Sequence, residues 1–146
     1  MKNHLDKRLT RTHNLLIDIL EHIDERHLAS KLLNLPSNTI GQQFWCIVGA
    51  RNSYVKAARA GSWQGFECLL TEEQILKRDD IKKELDSSLE SLIQFLNSNI
   101  KLDGAQEELL LDLLEHEVQH HGQLIRYMYG LKLGVPESWK KRYNLD

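Results

Sequence analysis

Residues 103–136 read DGAQEELLLDLLEHEVQHHGQLIRYMYGLKLGVP. Asp103 and Gln106, three apart, have the form of a capping box, Glu107 and Glu108 put acidic groups in a first turn, and Gly134 and Pro136 supply a stop. Between these signals apolar residues recur at spacings of three and four, the period that lays one stripe of a helix against a core. The pattern predicts a helix continuing to Leu133, the longest in the chain. Leu109, Leu113, His116, His120, Leu124, Tyr127 and Leu131 fall on one line, so both histidines are expected to point inward with the leucines.

Three other segments carry the same period. The first runs from Leu5 to Ile23 through Leu9, Leu16, Ile19 and Leu20, ending where charge gathers at Asp24, Glu25 and Arg26. After loop residues through Pro36, Ser37 or Asn38 is expected to cap a second helix with the stripe Ile40, Phe44, Ile47, Tyr54 and Ala58, stopping at Gly61. A third, from Asp79 or Asp80 to Leu96, places Ile81, Leu85, Leu89, Leu92 and Leu96 on one face; Thr71 and Gln74 suggest a capped turn before it. The stretch from Gly61 to Cys68 has two glycines, two aromatics and no period, and reads as a crossing loop between helices 2 and 3. No strand-like alternation, internal repeat or basic run competes. The expected fold is all-α, a four-helix bundle in a single domain covering residues 1–146.

Composition narrows the function classes. With 19 basic and 21 acidic residues and a formal net charge of −2, the chain has no overall field to draw it onto nucleic acid or an anionic membrane. No apolar run approaches the roughly 20 residues of a membrane span, and the start Met1-Lys2-Asn3-His4-Leu5-Asp6 lacks the apolar centre of a signal peptide, so the protein is read as cytoplasmic. Two cysteines, Cys46 and Cys68, are too few for the disulfide framework of a small secreted domain.

His116 and His120 carry the chemistry. Residues four apart sit one above the other on a helix, so two imidazole nitrogens can reach one divalent ion at about 2.0–2.1 Å each. Two unpartnered imidazoles in one small apolar region would otherwise leave several polar nitrogens to satisfy. His121 is turned about 100° away and reads as a boundary residue or one that supports the ligands from behind. His13 is a reserve ligand; His4, His22 and His27 read as solvated. His116-Glu117-Val118-Gln119-His120 formally matches the His-Glu-x-x-His pattern of zinc peptidases, but no downstream third ligand accompanies it, and Glu117 reads as a solvated or supporting carboxylate.

From His116 through Gln123-Leu124 to Tyr127, Gly134 and Pro136, the sequence resembles the last helix of the DinB-like superfamily, which includes bacillithiol transferases. The resemblance implies a four-helix bundle, a homodimer, and a three-histidine site for zinc or nickel. It departs from the family pattern at His121, where Arg is common, at Gln119, where many members have a further His, and in the second helix. There Cys46 occupies the place of the remaining His. A thiolate is a good zinc ligand, so a site of Cys46, His116 and His120 with an open position is chemically reasonable. Cys46 also shares a face with Ala50, Ser53 and Ala57 that suits close packing, and both readings stand. Cys68 is an extra ligand, a redox partner of Cys46 or a packed residue.

An open coordination position suits a metal-dependent enzyme that activates water or a small-molecule thiol, and the resemblance makes thiol S-transfer the most concrete version. The alternative is a non-catalytic metal-binding stress protein with a structural ion. A nucleic-acid partner is disfavoured by the charge balance. For a homodimer, Trp63, Phe66 or Trp139 could supply aromatic surface; covering the ends of the core is the other reading for each.

Overall fold

The computed structural model describes residues 1–98 and 101–146, and every regular element among the described residues is helical. The long helices α1 (Lys2–His22), α2 (Ile40–Ala60), α3 (Arg78–Ser98) and α4 (Gly104–Gly130) lie where the apolar spacing of three and four falls. A fifth helix, α5 (Glu137–Tyr143), was not expected; seven residues after a proline are too few for periodicity to register. No helix is long and apolar enough to cross a membrane among the described residues.

The helix ends follow local hydrogen-bond chemistry. α2 is capped by Thr39 rather than Ser37 or Asn38: its hydroxyl accepts from the Gln42 backbone at 3.1 Å, and the Gln42 side chain accepts from the Thr39 backbone at 2.8 Å. Asp103 and Gln106 make the equivalent box at α4. At its other end α4 stops at Gly130, short of Leu133. Lys132 takes a left-handed φ of 56°, its N–H reaches the Tyr129 carbonyl at 3.1 Å, and the Leu133 N–H reaches Met128 at 2.9 Å. This is a Schellman ending formed on a lysine, so the expected glycine signal, Gly134, lies two residues too late.

Side-chain pairs fix the helix directions. Cys46 with His116 and Ala58 with Gln106 run α2 against α4, and His13 with Asp86 and Glu21 with Lys82 run α1 against α3. Thr12 with Glu117 and His22 with Leu133 set α1 parallel to α4, while Arg51 with Ser88 and Arg59 with Ser91 set α2 parallel to α3. A parallel succession of α2 and α3 obliges the chain to travel back the length of a helix. It does so as a strap on the outside of α2. Trp63 packs on Tyr54, Glu67 bonds Ser53 and Lys56, Phe66 packs on Trp45, and the Trp45 indole donates to Leu70 at 3.2 Å. Gly49 leaves room for this path, since a Cβ there would run into the Phe66 ring and the Cys68 side chain.

The interior is two apolar clusters separated by a polar layer. One collects Leu16, Ile19, Leu20, Ile40, Phe44, Ile81, Leu124 and Trp139; the other collects Leu5, Leu9, Val55, Leu92, Leu96, Leu110 and Leu113. Between them, at mid-length of the four long helices, lie Thr12, His13, Arg51, Ser88, Glu117, His120 and His121, all buried. α5 closes one end. Trp139 is fully buried, its indole donates to the Leu15 carbonyl at 2.7 Å, and its ring packs on His121 and Tyr143. It therefore offers no surface to a partner, whereas Trp63 and Phe66 remain about half exposed.

Candidate metal centre

Cys46 from α2 and His116 and His120 from α4 meet at the edge of the polar layer, their ligand atoms all within 4.8 Å of one another. Antiparallel packing of α2 on α4 produces this meeting: one turn of α4 supplies both imidazoles, and the facing turn of α2 supplies the thiol. Cys46 Sγ lies 3.6 Å from His116 Nε2, and the Nε2 atoms of His116 and His120 lie 3.3 Å apart. Tetrahedral coordination, with metal–nitrogen distances of about 2.0–2.1 Å and metal–sulfur of about 2.3 Å, implies edges of about 3.3 Å between nitrogens and about 3.5 Å between nitrogen and sulfur. Two edges of the group thus match a tetrahedral zinc site. The third, between Cys46 and His120, is no longer than 4.8 Å.

The protonation pattern suits the same donor set. Gln43 donates its amide N–H to the Asn38 side-chain oxygen at 2.8 Å, which turns its own carbonyl oxygen toward His120 Nδ1 at 2.5 Å. A carbonyl only accepts, so the His120 proton sits on Nδ1 and the lone pair of Nε2 faces the cluster. Burial, with the neighbouring His116 adding to it, lowers the His120 pKa to about 4, and burial lowers that of His116 as well. Both rings are therefore neutral at pH 7, the form that binds metals. Burial alone pushes the Cys46 thiol up. An ion at this point would reverse that preference, because a coordinated thiol is held as thiolate.

Several sequence expectations change at this layer. Glu117 is completely buried rather than solvated. It forms a buried ion pair with Arg51, through Nε and through Nη2 at 3.2 Å, and accepts from the Thr12 hydroxyl at 2.6 Å. Burial opposes the Glu117 charge, but the Arg51 guanidinium and these hydrogen bonds outweigh it and keep the carboxyl below its usual range. Nη1 of Arg51 donates to the Leu85 carbonyl at 3.1 Å and to His13 Nδ1 at 3.2 Å, and His13 Nε2 in turn meets Asp86 at 3.0 Å. His13 is thus committed to this network and is not grouped with the three candidate ligands. His121 is no boundary residue either: it is fully buried, bonded through Nδ1 to the Tyr143 hydroxyl at 2.6 Å. Cys68 points its thiol at the Trp45 carbonyl, 3.2 Å away, and neither cysteine is in a disulfide.

Gln43 and Arg51 were missed by sequence reasoning. Both sit near the apolar line of α2 through Ile40, Phe44, Ile47, Val55 and Ala58, and a polar side chain interrupting a core line is the signal that marks them. No family model, no curated protein and no solved structure matches the chain.

Proposed function

We propose that this protein binds one divalent ion, zinc or nickel, through Cys46, His116 and His120, as a four-helix-bundle protein of the DinB-like type with a crossing connection between its second and third helices. The observation that carries the reading is the agreement of the 3.6 Å and 3.3 Å separations with the edges of a tetrahedral nitrogen and sulfur site. The His-x-x-x-His, Gly-Gln-Leu, aromatic, glycine and proline order of residues 116–136 supports the family assignment.

Three protein ligands leave a coordination position for a small molecule, and the ion supplies Lewis acidity that makes a coordinated thiol or water nucleophilic at neutral pH. We read the activity as transfer of a low-molecular-weight thiol to an electrophile: sulfur bonds to carbon, the leaving group departs with its electron pair, and the thiol proton passes to solvent. Gln43 orients His120, and the Arg51 and Glu117 pair fixes the height of α2 against α4 so that Cys46 faces His116. Grooves of about 550 and 560 Å³, between α2 and α3 and between α1 and α4, are not lined by Cys46, His116 or His120, and a purely structural ion is the competing reading. In keeping with the family resemblance the protein is proposed to act as a cytoplasmic homodimer, with the half-exposed Trp63 and Phe66 as its aromatic surface.

The test is elemental analysis of untagged protein followed by conjugation of a small thiol to monochlorobimane with and without the ion. Close to one zinc or nickel per chain and a rate that vanishes on chelation are expected. Stoichiometric metal with no thiol transfer, together with a large rise in melting temperature, would select the structural reading.

A further inference from the structure

Around α4 from the metal centre, about 80° to 180° from the line of His116 and His120, Gln119, Glu115 and Val118 face a different space. There α1, α4 and α5 enclose a groove of about 560 Å³, within the range of small-molecule sites. Three guanidinium groups line it: Arg8 and Arg11, three residues apart on α1, and Arg142 on α5. None of the three is in an ion pair with a carboxylate among the described residues, although Lys56, Lys82, Arg26 and the buried Arg51 all are. Glu115 is the single acidic residue of the lining. In a chain whose net charge is −2, this is a local excess of positive charge in a concave place.

Two of the three guanidinium groups, Arg11 and Arg142, lie toward one end, and Arg8 lies beside Leu111 and Leu114. Arg142 lies over the Tyr143 ring, 5.5 Å from its centre, and the Tyr143 hydroxyl is held 2.6 Å from His121. Away from that end the floor is apolar, formed by Val118, Leu114 and Leu111, with Val118 41% exposed. A second hollow of about 340 Å³ shares Arg8, Leu111 and Leu114 with the first and extends the trough beside Met1, His4 and Leu5. From Val118 to Leu111 the helix advances by about 10 Å. The groove therefore has a cationic head and an apolar track, the complement of an anion carrying an alkyl chain.

We propose that this groove binds a single-chain organic anion of the fatty-carboxylate class. The carboxylate sits between Arg11 and Arg142, where guanidinium geometry permits paired hydrogen bonds, and the chain lies over Leu114 and Leu111 under the aliphatic part of Arg8. A nucleic acid would leave the apolar track of Val118, Leu114 and Leu111 without use. The site is independent of the metal assignment because it shares no residue with the metal centre.

Titration calorimetry with dodecanoate below its micelle concentration is the test, with dodecanol as the uncharged control. One saturable site per chain is expected. Arg11→Gln with Arg142→Gln should weaken dodecanoate binding at least tenfold, and Val118→Glu should abolish it; all three positions are exposed, so the variants keep the fold. Dodecanol should bind at least tenfold more weakly than dodecanoate. Cys46→Ser and His116→Ala should leave the dodecanoate affinity unchanged, which separates this site from the metal centre. The proposal is overturned if dodecanoate shows no saturable binding, if the double variant binds as tightly as the parent, if dodecanol matches dodecanoate, or if binding occurs only at the surface of anionic vesicles.

Discussion

Gln43 Oε1 and His120 Nδ1 lie 2.5 Å apart, and this contact decides which imidazole nitrogen faces the metal centre. The Asn38 side chain that orients Gln43 also receives the Tyr127 hydroxyl at 2.7 Å, so the tautomer of His120 is set by a relay reaching back to α4. Replacing Gln43 with Leu keeps the volume and removes the acceptor. Zinc affinity, measured by competition with a chromophoric chelator, should fall about 10- to 100-fold, the usual cost of losing a supporting hydrogen bond to a ligand. Unchanged affinity would mean that His120 does not ligate through Nε2.

Loss of the ligands themselves has a graded expectation. His116→Ala with His120→Ala should purify without metal, whereas Cys46→Ser should retain some because two imidazoles remain. Cys46→His should restore binding above that of Cys46→Ala, since an imidazole at this place completes a three-nitrogen site. Alkylation of Cys46 by iodoacetamide should be blocked in the loaded protein and become measurable after chelation, though slower than for an exposed thiol because burial raises its pKa. Full metal content in the double histidine variant would remove the site.

The buried ion pair gives a sharper contrast. Arg51→Met leaves the carboxylate of Glu117 in the core without its cation, and denaturant unfolding should show a loss of about 3–5 kcal/mol. Arg51→Met combined with Glu117→Leu should recover most of that loss, because an apolar pair of similar volume no longer bears the cost of desolvating charge. Losses that simply add in the double variant would show that the two side chains are not energetically coupled.

His121 shares with His120 an acid response of the metal-free protein. Burial lowers its pKa to about 4, against 6.5 for the free side chain, so the fold holds it neutral. Below pH 6.5 the unfolded chain takes up a proton that the folded chain does not, and stability falls as pH drops from 6.5 toward 4, then levels for this group. The full effect is of order 3 kcal/mol. His121→Phe, which keeps the ring on Trp139, should reduce this slope in urea titrations and leave the share of His120; an identical slope would assign the acid response to other groups.

Gly49 marks where the strap meets α2. Gly49→Val should displace Phe66 and Cys68, cost about 1–3 kcal/mol by overpacking, and expose residues 61–70 to limited proteolysis. Cleavage no faster than in the parent would mean that the strap holds without this close approach.

Most of the architecture was legible because long helices advertise themselves by period. Leu9, Leu16, Leu85, Leu92, Leu113 and Leu124 all fall in the core where their spacing puts them. What escaped was set by tertiary context. The end of α4 turned on Lys132 taking a left-handed conformation, which no composition rule favours. His121 and Glu117 read as peripheral because the buried face of α4 is broader than one stripe: Glu117, His120 and His121 are all inside it, while His116 stands at its rim. The spacing of His116 and His120 announced a shared face, and Cys46 was brought in through the family resemblance. Gln43 and Arg51 were not found, because a polar residue within an apolar line declares its purpose only when its partner on another helix is known.

The polar layer also acts as a lengthwise key. The apolar clusters on either side of it consist of interchangeable aliphatic surfaces, and a helix sliding by one turn would mostly trade one leucine for another. Arg51 permits no such trade. Moving α4 by four residues would bring Leu113 or His121 opposite the guanidinium in place of Glu117, strand a charge in the core and separate Cys46 from His116 by a full turn. Insertions and deletions in relatives of this chain should therefore fall in the connections or in whole turns beyond the layer, and mispaired compact states should be eliminated first at Arg51.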